Sequence, residues 1–412
     1  MMDSCFDFSP RSLSVEEAHR LLSSYAPAPL ETEHVTLTAA LDRILAADIV
    51  SSLDVPAYVN SAMDGYALSW RAGVDQYQLV GEALAGHGFD GQLQPGEAIR
   101  ITTGAPLPAG ADTVVMREQA ECRVNKVVLP ALHNIVPGQN VRQAGEDIQR
   151  GQMALSRGAR LKPQHLGLLA SLGIIHVAVH RRPRVALFSS GDEVRPPGET
   201  LASAQIYDTN RFALYGMLVR LGADVVDLGI LPDNRAAIHA ALSEASLNTD
   251  MVITSGGVSI GQADWIKAVL AELGQIGFWQ IALRPGKPLA FGTLEDRLFF
   301  GLPGNPVAAM VTFIQFVQPM LRHMAGEVMW QPQRFTATAM EAMHSRRGRI
   351  DYHRGIFHCD GQGQLQVRTT GRQGSNILTS MTSANCLIEI DADREHIEPG
   401  NAVTIQPFGE LT

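Results

Sequence analysis

Cysteine is scarce in this chain, with Cys5, Cys122, Cys359 and Cys386 among 412 residues. No two of them stand at CxxC spacing, which argues against a cysteine zinc site or a disulfide framework and leaves ordinary reduced thiols of a cytoplasmic protein. Basic residues are outnumbered, 33 Lys and Arg against 42 Asp and Glu, for a net charge of -9. A dedicated nucleic-acid binder usually carries a basic stripe, so that class is disfavoured. The same balance means that an anionic ligand needs a local positive pocket. No run of about 18 apolar residues occurs, so no membrane helix is expected. The longest apolar stretch, VAAMVTFIQFVQPML, reads as a buried helix. The opening MMDSCFDFSPR has no apolar run and does not read as a signal peptide. Internal repeats, low-complexity tracts, an HExxH pair and a P-loop are all missing, and no Ser-His-Asp or Cys-His nucleophile set can be argued.

What is present alternates in texture. Ser14 and Glu17 form a capping-box pattern ahead of a helix that ends near Tyr25. A second short helix is expected over 37–47. From about 50 to 145, short apolar runs such as YQLV, AIRIT, TVVM and KVVLP alternate with Gly- and Pro-rich turns, the pattern of a small β-rich domain. Residues 146–178, with the helical PQHLGLLASLG, lead back to the body of the molecule. From about 180 to 325 strands and helices alternate: strands at 185–188, 224–228, 251–254 and 298–300, and helices capped by Asn210, Asn234 and Asn305. This β-α-β-α order predicts a mainly parallel sheet covered by helices. The segment 332–412 is again strand-rich, a small barrel or sandwich with a basic cluster of Arg346, Arg347, Arg349, Arg354 and Arg372.

Four Gly-rich loops carry the chemistry: SSGDE at 189–193, TSGGVSIGQAD at 254–264, RPGKP at 284–288 and GLPGNP at 301–306. Glycine lets backbone approach a ligand closely, and a helix N-terminus attracts anions. In an open α/β sheet, ligands bind beyond the carboxyl ends of the strands. Together these features point to a phosphorylated ligand. Ser190, Gly191, Ser255, Gly256, Gly257, Ser259, Pro303, Gly304 and Asn305 are the candidate contacts. A tight strand-to-helix turn needs the same glycines. Glu193 and Asp264, with Asp233 at another strand end, place carboxylates beside a phosphate surface. Mg²⁺ relieves that repulsion, although acidic residues also favour the first turn of a helix. Arg284 and Lys287 are cations held on a proline-bounded turn, suited to an oxyanion.

In the first half, NSAMDGYA (with Asp64), ITTGAPLPAGAD (with Thr103) and QAGEDI (with Asp147) stand out. Asp and Thr are common in turns, so taken alone these residues read as ordinary turn formers.

The ordered set NSAMDGYA, ITTGAPLPAGAD, AGEDI, FSSGDE, QIYDTN, TSGGVSIGQAD, RPGKP and GLPGNP, followed by RIDYHRG and RQGSNIL, resembles the MoeA-type molybdopterin molybdenumtransferases, to which the C-terminal domain of gephyrin is related. The resemblance runs over roughly residues 10 to 410. It implies insertion of molybdenum from molybdate into the dithiolene of adenylylated molybdopterin, with release of AMP and Mg²⁺ as the metal. Haem, flavin and nicotinamide have no place in this chemistry. It implies activity roles for Asp64, Thr103, Asp147, Glu193, Asp233 and Asp264, and with Mg²⁺ as the metal, Glu193 and Asp264 are the residues expected to hold it. Arg284, Lys287 and Arg354 become the basic positions, and the glycine loops the pterin and nucleotide surfaces. Two positions depart from the family pattern: Arg284 stands where lysine is frequent, and Gln280 where a basic residue is frequent.

The architecture implied is an elongated multidomain chain: a central α/β domain, two β-rich domains and a small mixed connecting domain. Its parts are an N-terminal helix (1–30) packing with the α/β domain, the connecting domain (31–49 and 146–178), a β-rich domain (50–145), the α/β domain (179–331) and a C-terminal barrel-like domain (332–412). A cytoplasmic homodimer is implied, its cleft lying between the α/β domain of one protomer and the N-terminal β domain of the other. A molybdopterin adenylyltransferase and cofactor-receiving proteins are the further partners. Two rivals are an adenylyltransferase that uses ATP, and a gephyrin-like scaffold; no long linker or additional N-terminal domain of such a fusion is evident.

Overall fold

The computed structural model describes residues 12–130, 135–232, 234–256 and 265–409, apart from the side chains at 266, 267 and 278. The chain forms two compact units. One takes the chain up to Glu33, Asp42–Ala46 and everything from Val179 on; the other holds His34–Leu41 and Ala47–Ala178. No described helix is long and apolar enough to cross a membrane.

The larger unit begins with helix α1 (Val15–Ser24). Ser14 Oγ accepts from the Glu17 N–H, and Glu17 returns the bond to the Ser14 N–H. Val15, Ala18 and Leu22 fall on one face at helical spacing and enter the main core. The α/β sheet is built from β1 (Arg184–Ser190), β2 (Asp224–Leu231), β3 (Met251–Ser255), β4 (Gly274–Gln280), β5 (Pro288–Leu294) and β6 (Arg297–Leu302). Their spatial order is β2-β1-β3-β6-β5-β4. The first four in that order are parallel, and β5 and β4 add antiparallel edges. Strands β1, β3 and β6 are buried along nearly their whole length, as expected where helices cover both faces. The helices are α2 (Asn210–Arg220), α3 (Arg235–Asn248) and α4 (Trp265–Leu273). A long buried helix then runs through Pro306–Thr312, a π turn at Phe313–Val317, and Gln318–Met324.

Strands β4 and β5 escape a reading of sequence alternation. Their pairing is so close at two glycines that side chains do not fit: a Cβ on Gly274 would lie 1.9 Å from the Thr293 carbonyl oxygen, and one on Gly292 2.0 Å from that of Gln275. Glycine is an unfavourable strand residue unless another backbone crowds it, as here.

The C-terminal segment closes into a barrel. Ile350–Cys359 pairs with Leu365–Thr369, that with Phe335–Ala339, then Ala402–Pro407, then Cys386–Ile390, which returns to Ile350–Cys359. Ala337, Val367, Ile388, Val403 and Ile405 fill it. A two-residue strand, Leu283–Arg284, pairs in parallel with Ile350–Asp351 and joins the RPGKP turn to this barrel.

The smaller unit holds a six-stranded sheet in the order Thr113–Met116, Gly65–Leu68, Glu97–Ile101, Gln76–Ala83, Lys126–Val128, Glu121–Arg123. Both faces are packed, one through Tyr66, Leu68 and Val115, the other through Ala67, Ile99 and Val114. The helix expected over 37–47 does not form. Only a 3-10 turn, Leu37–Ala39, is present, and Asp42 has φ +62°, a left-handed conformation through which an α-helix cannot continue. The helix Pro163–Ser171 is present.

At the amino ends of β1 and β3, Arg181 grips Asp250 through two bonds of 2.6 and 2.7 Å and also holds Glu31. Burial pushes the Asp250 carboxyl up. The bonds from Arg181 and from the Arg184 N–H together outweigh it and hold the group below its ordinary value. A depressed carboxyl stabilises the fold fully above its unfolded value, and that stability is lost as pH falls through the folded value. Asp250→Asn is therefore expected to cost about 2 kcal/mol at neutral pH, discounted because Arg181 is partly exposed. The loss should shrink toward pH 3 in urea melts of wild type and variant.

Candidate active site

The parallel register sets the site. Ser189 lies opposite Ser255, Ser190 opposite Leu231, and Ser255 opposite Leu302. The chain therefore leaves β1, β2, β3 and β6 at one edge of the sheet. Strand β5 runs antiparallel to β6 with Ala290 opposite Gly301, so its first residue and the preceding RPGKP turn lie at that same edge. The fold thus brings together Ser190, Gly191, Glu193, Ser255, Gly256, Arg284, Lys287, Pro303, Gly304 and Asn305.

Several contacts lock the edge. Gly256 has φ +90°, and a Cβ there would lie 2.8 Å from the Ser190 carbonyl oxygen, so the SSG and TSG loops touch backbone to backbone. The Gly256 N–H donates to the Leu302 carbonyl at 3.3 Å. Gly191 (φ +135°) faces the Glu193 carboxylate, which folds back to within 2.7 Å of where a Cβ would stand. Ser190 Oγ and Thr254 Oγ1 are buried without a hydrogen-bond partner among the described residues. Such orphaned hydroxyls are uncommon and are available to a ligand. Gly304 opens onto empty space.

The Asn210 amide is the central link. Asn210 does not cap α2 as its position in the sequence implied. Thr209 stands at the cap, and Asn210 is the first helical residue. Its Nδ2 donates to Ser255 Oγ and to the Gly304 carbonyl, both at 2.7 Å, and Ser255 Oγ donates on to the Pro303 carbonyl at 3.2 Å. One side chain ties the DTN, TSG and LPGN segments. Behind it, Ser189 Oγ donates to Asp208 at 2.9 Å, and Asp208 accepts from Arg211, which also pairs with Asp227.

The basic residues divide into two kinds. Arg284 is partly exposed and pairs with the buried carboxylate of Asp351 at 3.4 Å. Lys287 is exposed on the same turn. Arg354 does not belong to a surface cluster. It is 1% exposed and donates to the carbonyls of Tyr352 and Gly374 and to Ser380 Oγ. Burial lowers its pKa to about 10. It reaches the site indirectly: Gly374 precedes Ser375, whose Oγ accepts from Asn305 and whose carbonyl accepts from the Val307 N–H.

The smaller unit brings together the two residues that had looked like turn formers. Asp64 Oδ1 accepts from the Thr103 N–H at 2.7 Å and from Thr103 Oγ1 at 2.8 Å. These bonds, the backbone one first, hold the Asp64 carboxyl below its ordinary value. Gly65 follows directly and packs so tightly on the Val115 carbonyl that a Cβ would lie 2.0 Å from its oxygen. Asp147 is exposed, with its N–H on the Val55 carbonyl, and no hydrogen bond joins it to Asp64 or Thr103. Asp233, Gly257, Ser259 and Asp264 lie outside the described residues.

Comparison with known proteins decides the family. Residues 13–173 match the MoeA N-terminal region (domains I and II), 186–323 match a probable molybdopterin binding domain, and 336–408 match the MoeA C-terminal region (domain IV). The chain belongs to the MoeA family. Among its relatives, a molybdopterin molybdenumtransferase of Haemophilus influenzae is 43% identical over 97% of this chain and 99% of its own. A gephyrin of Dictyostelium discoideum is 32% identical over 92% of this chain and 60% of its own. The solved molybdopterin biosynthesis MoeA protein of Pyrococcus horikoshii superposes with a TM-score of 0.83 at 27% identity, covering 96% of this chain and all of that one.

In this MoeA-family protein, sequence reasoning missed Asn210 as a site residue, and Asp208 and Ser375 as its supports. The QIYDTN motif was the signal for the first two. An asparagine at a helix start reads as a cap unless the partner loops are known. Asn210→Asp, isosteric, would set a carboxylate oxygen against the Gly304 carbonyl. Losing that bond from a carbonyl open to solvent is expected to cost about 1 kcal/mol locally. Amide hydrogen exchange at Gly256, Gly304 and Asn305 should then quicken by about 5-fold. For the smaller unit, Thr103→Val removes one of two donors, so the Asp64 carboxyl is expected to titrate at higher pH in a carbon-13 NMR experiment.

Proposed function

We propose that this chain inserts molybdenum, taken from molybdate, into the dithiolene of adenylylated molybdopterin, with release of AMP. The observation that carries the proposal is the joining of two glycine loops at one sheet edge through Asn210, with the SSG loop packed against them at Gly256, in a chain of the MoeA family. Pterin, phosphates and oxyanion all need what that edge offers: backbone exposed by glycine, buried hydroxyls without partners, and two cations beside them.

Mg²⁺ fits the donors present. A hard cation takes oxygen ligands, often one or two carboxylates with the rest from phosphates and water. Among the described residues no three His, Cys, Asp or Glu side chains form a cage. An ion shared with a pyrophosphate does not need one. The exposed Glu193 carboxylate would hold it, with Asp264 as the second carboxylate. When bound, Mg²⁺ would neutralise the pyrophosphate and polarise its phosphoryl oxygens.

The chain's own residues do the remaining work in this reading. Arg284 and Lys287 draw molybdate to the edge against the negative field of the protein. Asp351 limits the guanidinium of Arg284 to one side, leaving its other donors for the oxyanion. Ser190 and Ser255 orient the substrate, and Asn210 keeps their loops in register. Asp64, its carboxylate fixed by Thr103, serves the same reaction, as does Asp147. The protein acts in the cytoplasm as a homodimer, downstream of an adenylyltransferase and upstream of enzymes that use the cofactor.

Glu193→Gln keeps the size of the side chain and removes the charge. In an assay with adenylylated molybdopterin, molybdate and Mg²⁺, AMP release is expected to fall by about a hundred-fold, as when one oriented electrostatic group is lost. Unchanged AMP release would overturn the metal assignment. Pyrophosphate release from ATP and molybdopterin would instead identify an adenylyltransferase.

A further inference from the structure

The barrel carries a histidine pair that the reaction does not use. His344, at the end of the short strand Met343–His344, lies opposite His396 of the strand His396–Ile397. Their Nδ1 atoms are 3.0 Å apart, and the ring centroids 4.5 Å apart with planes at 44°. The far nitrogen of His396, Nε2, lies 2.6 Å from Glu398 Oε1. Both rings are exposed.

The carboxylate decides the tautomer. Glu398 accepts a proton from His396 Nε2, so in the neutral ring the lone pair is on Nδ1, directed at His344. This is the arrangement in which a histidine serves as a metal ligand, its other nitrogen held by an acceptor. The distances then separate two uses of the pair. Rings facing each other along a straight N–H···N bond of this length would have centroids about 5.3 Å apart, since each centroid lies about 1.15 Å from its nitrogen. Two nitrogens about 2.1 Å from one ion at a right angle are about 3.0 Å apart, with centroids about 4.6 Å apart. The observed pair matches the second case.

We infer that His344 and His396 form a surface site for one divalent transition-metal ion of the Ni²⁺ or Cu²⁺ kind, oriented by Glu398 and separate from the Mg²⁺ chemistry at the glycine loops. Imidazole and right-angle coordination favour such ions over hard cations. On binding, His344 shifts its proton from Nδ1 to Nε2, so neither ring changes charge. Among the described residues no third His, Cys, Asp or Glu completes the shell. Water fills it, and the ion exchanges readily. The bound ion pins Met343–His344 to His396–Ile397, a pairing of only two residues on each side.

The test is calorimetric titration of the full chain with Ni²⁺, paired with thermal melts. Wild type is expected to bind one ion more than His344→Gln or His396→Gln, and to melt higher with Ni²⁺ present, which neither variant does. Glu398→Ala is expected to weaken that ion about 10-fold or more. Mg²⁺ should not compete. Equal uptake by wild type and His344→Gln, competition by Mg²⁺, or full affinity in Glu398→Ala would each overturn the assignment. Circular dichroism of the three variants at 25 °C, matching wild type, separates loss of the site from loss of the fold.

Discussion

Everything at the candidate site depends on one primary amide. Asn210 Nδ2 offers two protons, and both are used on other loops: one on the Ser255 hydroxyl, one on the Gly304 carbonyl. Register brings the strand ends to one edge but leaves the loops beyond them without a common reference. The amide supplies it. A side-chain bond of this kind contributes about 1 kcal/mol net, yet leaving the buried Ser255 hydroxyl without it costs more. Position is thus enforced chiefly by the penalty for losing it. The glycines act in the same direction. At Gly256 the Ser190 carbonyl occupies the space a Cβ would need, so the two loops are held in contact by the absence of an atom.

Much of this is legible in the sequence. The capping box of Ser14 and Glu17, the strands around Val185, Met251 and Leu298, and the Pro306 helix start follow from local rules that tertiary contacts did not override. What local rules could not supply were long-range facts. Strands β4 and β5 hide because Gly274 and Gly292 serve a close backbone approach. The helix after Leu37 fails at the left-handed Asp42. Arg354 reads as part of a charged surface because it stands in sequence near Arg346, Arg347 and Arg372, which are exposed, whereas the barrel places its guanidinium inside.

The site shows the same division. Residue types and loop order announced anion chemistry, since glycine, serine and paired cations have few other reasons to recur at strand ends. Without the family resemblance, Asp64 and Thr103 read as turn residues, because the 2.7 and 2.8 Å bonds that make them a unit join positions 39 apart. Asn210 was misjudged for a related reason. The cap rule is correct on average, and here a tertiary partner 94 residues away outbids it.

The route from Arg354 to the glycine loops bears on modularity. Arg354 holds the Gly374 carbonyl, and the next residue, Ser375, receives Asn305 and the first free N–H of the helix that follows the GLPGNP loop. The barrel therefore supplies part of a helix cap that belongs, by sequence, to its neighbour. An α/β domain transplanted alone, or one that arose as a free-standing protein, would need another acceptor for Asn305. The stretch between the matched regions, which end at 323 and resume at 336, is a joint in the chain without being a joint in the chemistry. Shuffling of these domains between proteins would then preserve the loop only where the barrel travelled with it.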